Sequence, residues 1–345
     1  MAIAKNPDYK RIATEEAWAP THIIERFQKL VGTIGDPGFD SLWGFYSTSP
    51  SQRAQQVFAR LQDLGERRLA DMDACGIDVA VLSLTSPGVQ CFDAATATSL
   101  ARVANDELAE ACRQRPDRFA AVASFGPLEP ANAAKEIERA VSQLGMKGAI
   151  FNSHTHGQYL SDPKFWDIFA VCEQLQVPLY LHPQTPPPAM IKPFLEAGLD
   201  GAVFGFGVET GLHMLRILTS GVFDRFPKLQ MCIGHMGEAL PYWMYRLDYM
   251  HGVTVRSKRY ECLQPLQRRI SDYLKENVYV TSSGYGWEPA IRFAQQELGV
   301  DRVLYAMDYP YEYEADEVRA LDSMNIPLAD KKKFFQTNAE RIFRL

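Results

Sequence analysis

Short apolar runs rich in β-branched residues recur along the chain at 11–17, 77–85, 118–125, 147–153, 177–183, 229–235, 277–283 and 302–308. They are almost continuously apolar, as in "IDVAVLSLT" and "VPLYLHP", with little in/out alternation. That pattern fits parallel strands covered on both faces. Between the runs lie stretches of helical period, such as "AATATSLARVANDELAEACRQR" and "PANAAKEIERAVSQLG", the latter stopped by Gly145. Eight strand–helix units in 345 residues predict a single distorted (β/α)₈ barrel spanning residues 1–345. A doubly wound sheet competes, but no G-x-G-x-x-G follows the first run.

Three segments break the rhythm. Residues 33–51, rich in Gly, Ser, Pro and aromatics, form an insertion after the first strand, expected as a long irregular loop at the catalytic face before a helix over 52–74. The others are "HTHGQYL" (154–160) and the proline-rich stretch after His182.

With 46% hydrophobic residues the chain can bury a large core. A net charge of −6 without a basic run argues against a nucleic-acid surface. The six cysteines contain no CxxC pair and read as core thiols in a reducing compartment. No apolar run is long enough to span a bilayer, and the first ten residues lack the apolar stretch of a signal peptide, so a cytoplasmic protein without a membrane partner is expected.

Chemistry in such a barrel sits at the C-terminal strand ends. These ends carry Glu15, Thr85, Asn152, His182, His235, Ser282 or Ser283, and Asp308. Each has an ordinary reading alone: Asp308 as a helix cap, His182 as a structural imidazole, Glu15 as half of a salt bridge. Together Glu15, His182 and Asp308 make an oxygen-rich set with one imidazole, which suits Mn²⁺ or Mg²⁺ at least as well as Zn²⁺. Glu15 and Glu16 are adjacent, so a strand sends them to opposite faces. In "HMGE" (235–238) the glutamate can orient the imidazole, or simply sit in a first helical turn. Thr85 and Tyr311 follow strand ends and can line the same pocket. Trp18 and Phe206 are candidate walls or ordinary core. His154 and His156 lie in a Gly-flanked loop and are expected to be structural, as are His22, His213 and His251 in helical stretches.

Several segments carry a resemblance: "LYLHP" (179–183), "GVFDRFPKLQMCIGHMGEALPYWMYRLD" (221–248), "VTSSG" (280–284), "YAMDYPYE" (305–312) and "TNAERIF" (337–343). In these the chain resembles the decarboxylase branch of the amidohydrolase superfamily over almost its whole length. That branch often has Glu-x-His after its first strand, and some members have Glu-x-Ala; here Glu15–Glu16–Ala17 is of the latter kind. The resemblance implies metal held by Glu15, His182 and Asp308, with Mn²⁺ first, Zn²⁺ or Mg²⁺ as alternatives, and no organic cofactor. It implies non-oxidative decarboxylation of an ortho-hydroxy aromatic carboxylate, with Asp308 protonating the ring carbon and His235 and Glu238 assisting. Segments 41–54, 200–216 and 305–320 are similar to the 5-carboxyvanillate decarboxylases, which implies conversion of that acid to vanillate and CO₂. The same resemblance makes Tyr46, Arg53 and Arg246 substrate contacts, since a ring with a second carboxylate suits arginine's planar fork. It implies a homodimer or homotetramer, with Arg53 acting in its own or a neighbouring subunit. Two rivals stay open within catalysis: a decarboxylase of another hydroxybenzoate, and a metal-dependent hydrolase or lactonase of aromatic catabolism. A binding protein without catalysis is a third, and would not need the three ligands together.

Overall fold

The computed structural model describes residues 2–345. Nine strand segments follow in order: β1 (Ile12–Trp18), β2 (Val79–Leu84), β3 (Phe119–Ala121), β4 (Ala123–Ser124), β5 (Ala149–Asn152), β6 (Leu179–His182), β7 (Met231–Ile233), β8 (Val278–Thr281) and β9 (Val303–Leu304). All pair in parallel, in the order β1-β2-β3 and β4 through β9. Only Val122 separates β3 from β4, and its N–H still bonds to Leu82 of β2 at 3.0 Å. The ring closes where the Thr14 N–H reaches the Tyr305 carbonyl (3.1 Å) and the Ala17 N–H the Tyr309 carbonyl (2.7 Å). Counting β3 and β4 as one staved position gives the eight-stranded distorted barrel that the periodicity predicts.

The helices on its outside are α1 (Thr21–Leu30), α2 (Pro37–Thr48), α3 (Gln52–Leu61), α4 (Glu66–Ala74), α5 (Ala94–Gln114), α6 (Pro130–Ser142), α7 (Trp166–Leu175), α8 (Lys192–Ala197) and α9 (Gly205–Thr219). After them come α10 (Val222–Arg225), the single turn α11 (His235–Glu238), α12 (Leu240–Arg256), α13 (Ile270–Asn277), α14 (Glu288–Leu298), α15 (Ala315–Asp322), α16 (Leu328–Lys332) and α17 (Asn338–Phe343). Among the described residues, no helix is long and apolar enough to cross a membrane.

Two expectations need correction. The 33–51 insertion is largely helical: Asp36 accepts from the N–H groups of Gly38 and Phe39, Pro37 opens the first turn, and α2 runs to Thr48. Its core face drives this, because Phe39 and Trp43 are buried against Phe27 of α1. The helix expected over 52–74 is two helices, α3 and α4, separated by Gln62–Gly65.

Period-two alternation divides the barrel interior by height. Low in the barrel, Ile12, Val81, Val122, Ile150, Cys232 and Leu304 pack together, floored by Ile342 and Phe343 of α17. One step up the same strands, polar residues replace them: Asn152 follows Ile150 and His182 follows Tyr180, paired side by side across β5 and β6. The active face is therefore a polar lid on an apolar plug.

A second buried polar group ties α9 to the loop after β5. The Ser153 hydroxyl donates to Glu209 Oε1 (2.8 Å), and Tyr159 donates to Glu209 Oε2 (3.0 Å). His213 Nε2 accepts the Leu160 N–H (3.0 Å), so its Nδ1 carries the proton and faces Ser153 Oγ at 3.2 Å. This arrangement gives His213 a structural task, as its helical setting suggests, and burial holds it neutral, well below the usual imidazole range. Burial also pushes the Glu209 carboxyl up to about 7, against the hydrogen bonds from Ser153 and Tyr159 and the charge of Arg216. A carboxyl with a raised folded-state pKa favours folding below its unfolded pKa, and that contribution is lost as pH climbs towards the folded value. Glu209→Gln should therefore gain on the parent as pH rises from about 4.5 to 8, by on the order of 3 kcal/mol. Urea unfolding at both pH values checks this; a difference that stays constant with pH would refute it.

Candidate metal centre and cleft

Glu15 lies on β1 beside an irregularity in the β1–β2 register between Ala13 and Glu16. Its carboxylate points into the barrel and is 3% exposed, so few solvent contacts remain to it. Tyr180 and Thr281 both donate to Oε2, Thr281 at 2.8 Å. Oε1 has no hydrogen-bond partner although it is buried. His182 Nε2 stands 3.4 Å from that bare oxygen. His182 Nδ1 lies 2.9 Å from the Pro183 carbonyl, which fixes the Nδ1–H tautomer and leaves Nε2 as a lone-pair donor facing inward. Asp308 completes the group: one ligand atom each from Glu15, His182 and Asp308 lie within 4.8 Å of one another. An unpartnered carboxylate oxygen, a lone-pair nitrogen and a second carboxylate converging in this way fit a divalent cation.

Backbone at two strand ends is strained to build the site. Asp308 has a φ of +62°, and His235, Met236, Gly237, Glu238 and Ala239 run +51°, +55°, +72°, +50° and +60°. Five left-handed residues in succession make α11 a left-handed turn, with only one glycine among them. Glu238 is therefore not in the first turn of a right-handed helix; α12 starts at Leu240. The turn brings Glu238 Oε1 to 3.0 Å from His235 Nδ1 and aims Nε2 at Glu15 Oε1 and Asp308 Oδ2, both 3.9 Å away. Burial opposes charge on His235, but Glu15 and Glu238 outweigh it and hold the imidazole well above its ordinary range. Gly234, just before it, admits the Glu15 carboxylate: a Cβ there would stand 2.8 Å from both oxygens.

Glu16 goes the other way, as strand geometry requires. It is buried outside the barrel wall and accepts the Met307 N–H at 3.0 Å. Burial pushes its carboxyl up to about 8, partly offset by that bond and by Arg68. Arg68 itself is 1% exposed, stacks on Tyr309 and donates to the Ala17 carbonyl at 2.6 Å. It thereby ties β1 to the segment that carries Asp308.

The substrate-contact candidates divide. Thr85 Oγ1 and Tyr311 Oη share a hydrogen bond of 2.6 Å, Tyr46 meets the Tyr311 ring edge-on at 5.8 Å, and Arg53 donates to the Tyr311 carbonyl at 2.8 Å. Burial raises the Tyr46 hydroxyl, with Arg53 opposing and Asp308 adding to the shift. Arg246 is not brought in: it lies exposed on α12, with no ion pair or hydrogen bond to the site among the described residues. Trp18 is core, whereas Phe206 lines the cleft. His154 and His156 bond through Nε2 to the Thr185 and Phe92 carbonyls, as expected of structural histidines.

The cleft has a volume of about 620 Å³, with Phe206, Leu212, Trp243 and Tyr285 on its apolar side and His235, Glu238, Asp308 and Glu312 on its polar side. Tyr180, Thr281 and Glu312 are absent from the residues singled out by sequence. Two of them carried a usable signal: Tyr180 precedes His182 by two positions, and Thr281 occupies the inward register of its own strand.

Comparison with known proteins agrees in extent. The amidohydrolase family matches residues 52–345. A 5-carboxyvanillate decarboxylase from Novosphingobium aromaticivorans, solved with manganese and a hydroxy-methoxy-nitrobenzoic acid, is 56% identical, with full coverage of both chains and a TM-score of 0.98. The 5-carboxyvanillate decarboxylase of Sphingomonas paucimobilis is 38% identical over 97% of this chain and 99% of that one, with a TM-score of 0.91. A gamma-resorcylate decarboxylase from Rhizobium sp. is 38% identical over 86% of this chain and 92% of its own length.

If Tyr180 and Thr281 orient Glu15 for a cation, Tyr180→Phe should weaken Mn²⁺ binding roughly ten- to a hundredfold. Titration of the stripped protein with Mn²⁺, followed by calorimetry, measures it; unchanged affinity would show that Glu15 needs no such bond.

Proposed function

The chain belongs to the amidohydrolase family, and from that membership we propose that it is a manganese-dependent decarboxylase converting 5-carboxyvanillate to vanillate and CO₂. What carries this reading is the convergence of Glu15, His182 and Asp308 around an unpartnered carboxylate oxygen, at the mouth of a barrel like that of manganese-bound 5-carboxyvanillate decarboxylase along its full length. Residues 1–345 act as one catalytic domain. The six cysteines are free thiols, in keeping with the cytoplasm.

Glu15, His182 and Asp308 would hold the ion, which would supply Lewis-acid polarisation of an ortho-hydroxy carboxylate. The protein's own groups then manage the proton. Asp308 takes the phenolic proton as substrate settles and passes it to the ring carbon bearing the scissile carboxylate. As that C–H bond forms, the C–CO₂ bond breaks, its electron pair returns to the ring and CO₂ leaves. His235, oriented by Glu238, faces Asp308 and stabilises its carboxylate before it takes the proton and again after it gives the proton up. Arg53, with Tyr46, Thr85 and Tyr311, receives the distal carboxylate and fixes the ring plane.

Arg246 finds its place in a second copy. On α12, Tyr242, Tyr245 and Tyr249 are 77%, 83% and 60% exposed, and they share a face with Arg246 beside Trp243, which lines the cleft. So many exposed aromatics on one helix face mark an association surface. We assign it to a homodimer in which Arg246 serves the neighbouring copy's site.

Two measurements test these assignments. Purified protein should release CO₂ from 5-carboxyvanillate, lose turnover on chelation and regain it with about one Mn²⁺ per chain. Full activity after exhaustive chelation, or hydrolysis of a lactone without CO₂ release, would favour a different reaction. Separately, Arg246→Met and Asp308→Ala should each be nearly inactive alone, yet recover activity when mixed under subunit exchange, because one site of the hybrid dimer is intact. No recovery from an exchanging mixture would return Arg246 to its own subunit or remove it from the site.

A further inference from the structure

Helix α9 carries glycines at 205, 207 and 211, a poor choice for helix stability that calls for a packing reason. Gly207 and Gly211 are one turn apart and face the left-handed turn α11. A Cβ at Gly211 would make only ordinary contacts with Glu238, 3.5 Å to its carbonyl oxygen and 3.6 Å to its Cβ. A Cβ at Gly207 would stand 2.8 Å from Glu238 Oε2, with the carboxyl carbon at 3.8 Å. The collision falls on the end of a side chain that can swing aside, so the fold tolerates it. What moves is the carboxylate whose other oxygen holds His235 Nδ1 at 3.0 Å. Gly237, at φ +72° and with room for no Cβ beside Val280, keeps the turn itself from giving way.

We propose that Gly207 is a positioning residue for catalysis: by lacking a side chain it leaves the seat in which Glu238 holds the His235 imidazole towards Glu15 and Asp308. The proposal rests on the assignment of His235 and Glu238 to the reaction and extends it to an element that touches no reacting atom. Helix α9 thus serves two sites with two faces, fixing the loop after β5 through Glu209 and His213 and the catalytic turn through Gly207.

Gly207→Ala should lower kcat tenfold or more, with KM, manganese per chain and Tm close to the parent's. In a Glu238→Ala background the same substitution should cost nothing further, because the group it displaces is gone. Nitrogen NMR of the His235 ring should show an Nδ1–H hydrogen-bonded to Glu238 in the parent and in Gly211→Ala, and loss of that hydrogen bond in Gly207→Ala. Unchanged kcat in Gly207→Ala, or an equal loss with and without Glu238, would overturn the proposal. The NMR signal is read without turnover: if the parent fails to decarboxylate but the signal responds as stated, the positioning stands and the reaction assignment falls. A signal indifferent to Gly207→Ala overturns the positioning whatever the reaction.

Discussion

The site depends on one carboxylate placed where water cannot reach it. Removing a carboxylate from water costs several kcal/mol even after the protein relaxes, and a hydrogen bond to a charged group returns about 1.5–3 kcal/mol. Glu15 receives two such bonds, from Tyr180 and Thr281, both on the same oxygen. The other oxygen is left bare beside His182, so the deficit is concentrated in one direction. A cation in that direction supplies what the hydroxyls do not. His182 and Asp308 then act as further donors to a site whose affinity begins with the unsatisfied half of Glu15.

The same logic separates Glu15 from its neighbour. Glu16 is as deeply buried, but it faces the shell of helices, where a backbone N–H and the Arg68 guanidinium stand near it, and its carboxyl is held up at about 8. Two adjacent acids in one strand thus acquire different tasks from the two faces of that strand. Glu15 is the candidate ligand; Glu16, with Arg68 and Tyr309, sits in the packing that braces the closure between β1 and the segment leading to Asp308. Ala17 fits this division, since its carbonyl serves Arg68 and its N–H closes the barrel on Tyr309.

Much of this was legible from the chain. The strands are visible because a buried parallel strand must be apolar on both faces, and Glu15, His182 and Asp308 are visible because each interrupts such a run at its end. The helical insertion was missed: Asp36–Pro37 is a capping residue followed by a first-turn proline, but the glycines and serines after it masked that start signal. The second tier was harder. Tyr180 reads as one more apolar strand residue, and only its two-residue offset from His182 shows which way the hydroxyl points. Arg68 reads as a solvated helical arginine until the fold brings Tyr309 over it. The left-handed run 235–239 could not be read at all, since Met, Glu and Ala disfavour that backbone and only tertiary packing imposes it.

That strained turn shows how the barrel divides its labour. Each left-handed residue other than glycine costs roughly 1–2 kcal/mol, so four of them represent a cost comparable to much of a domain's net stability. Such a cost persists only where the surroundings over-determine the conformation. Here Val280 closes against Gly237 from the barrel side, and α9 approaches Glu238 through two glycines from the other. His182 sits on a regular strand, where period two fixes its direction without strain, and Glu15 sits on β1 beside its register irregularity. His235 and Glu238 sit on the irregular turn, which sets them against each other and aims His235 at both Glu15 and Asp308. Asp308, which faces both the Glu15–His182 group and His235, stands on strained backbone in the segment beyond β9, at the boundary between the two.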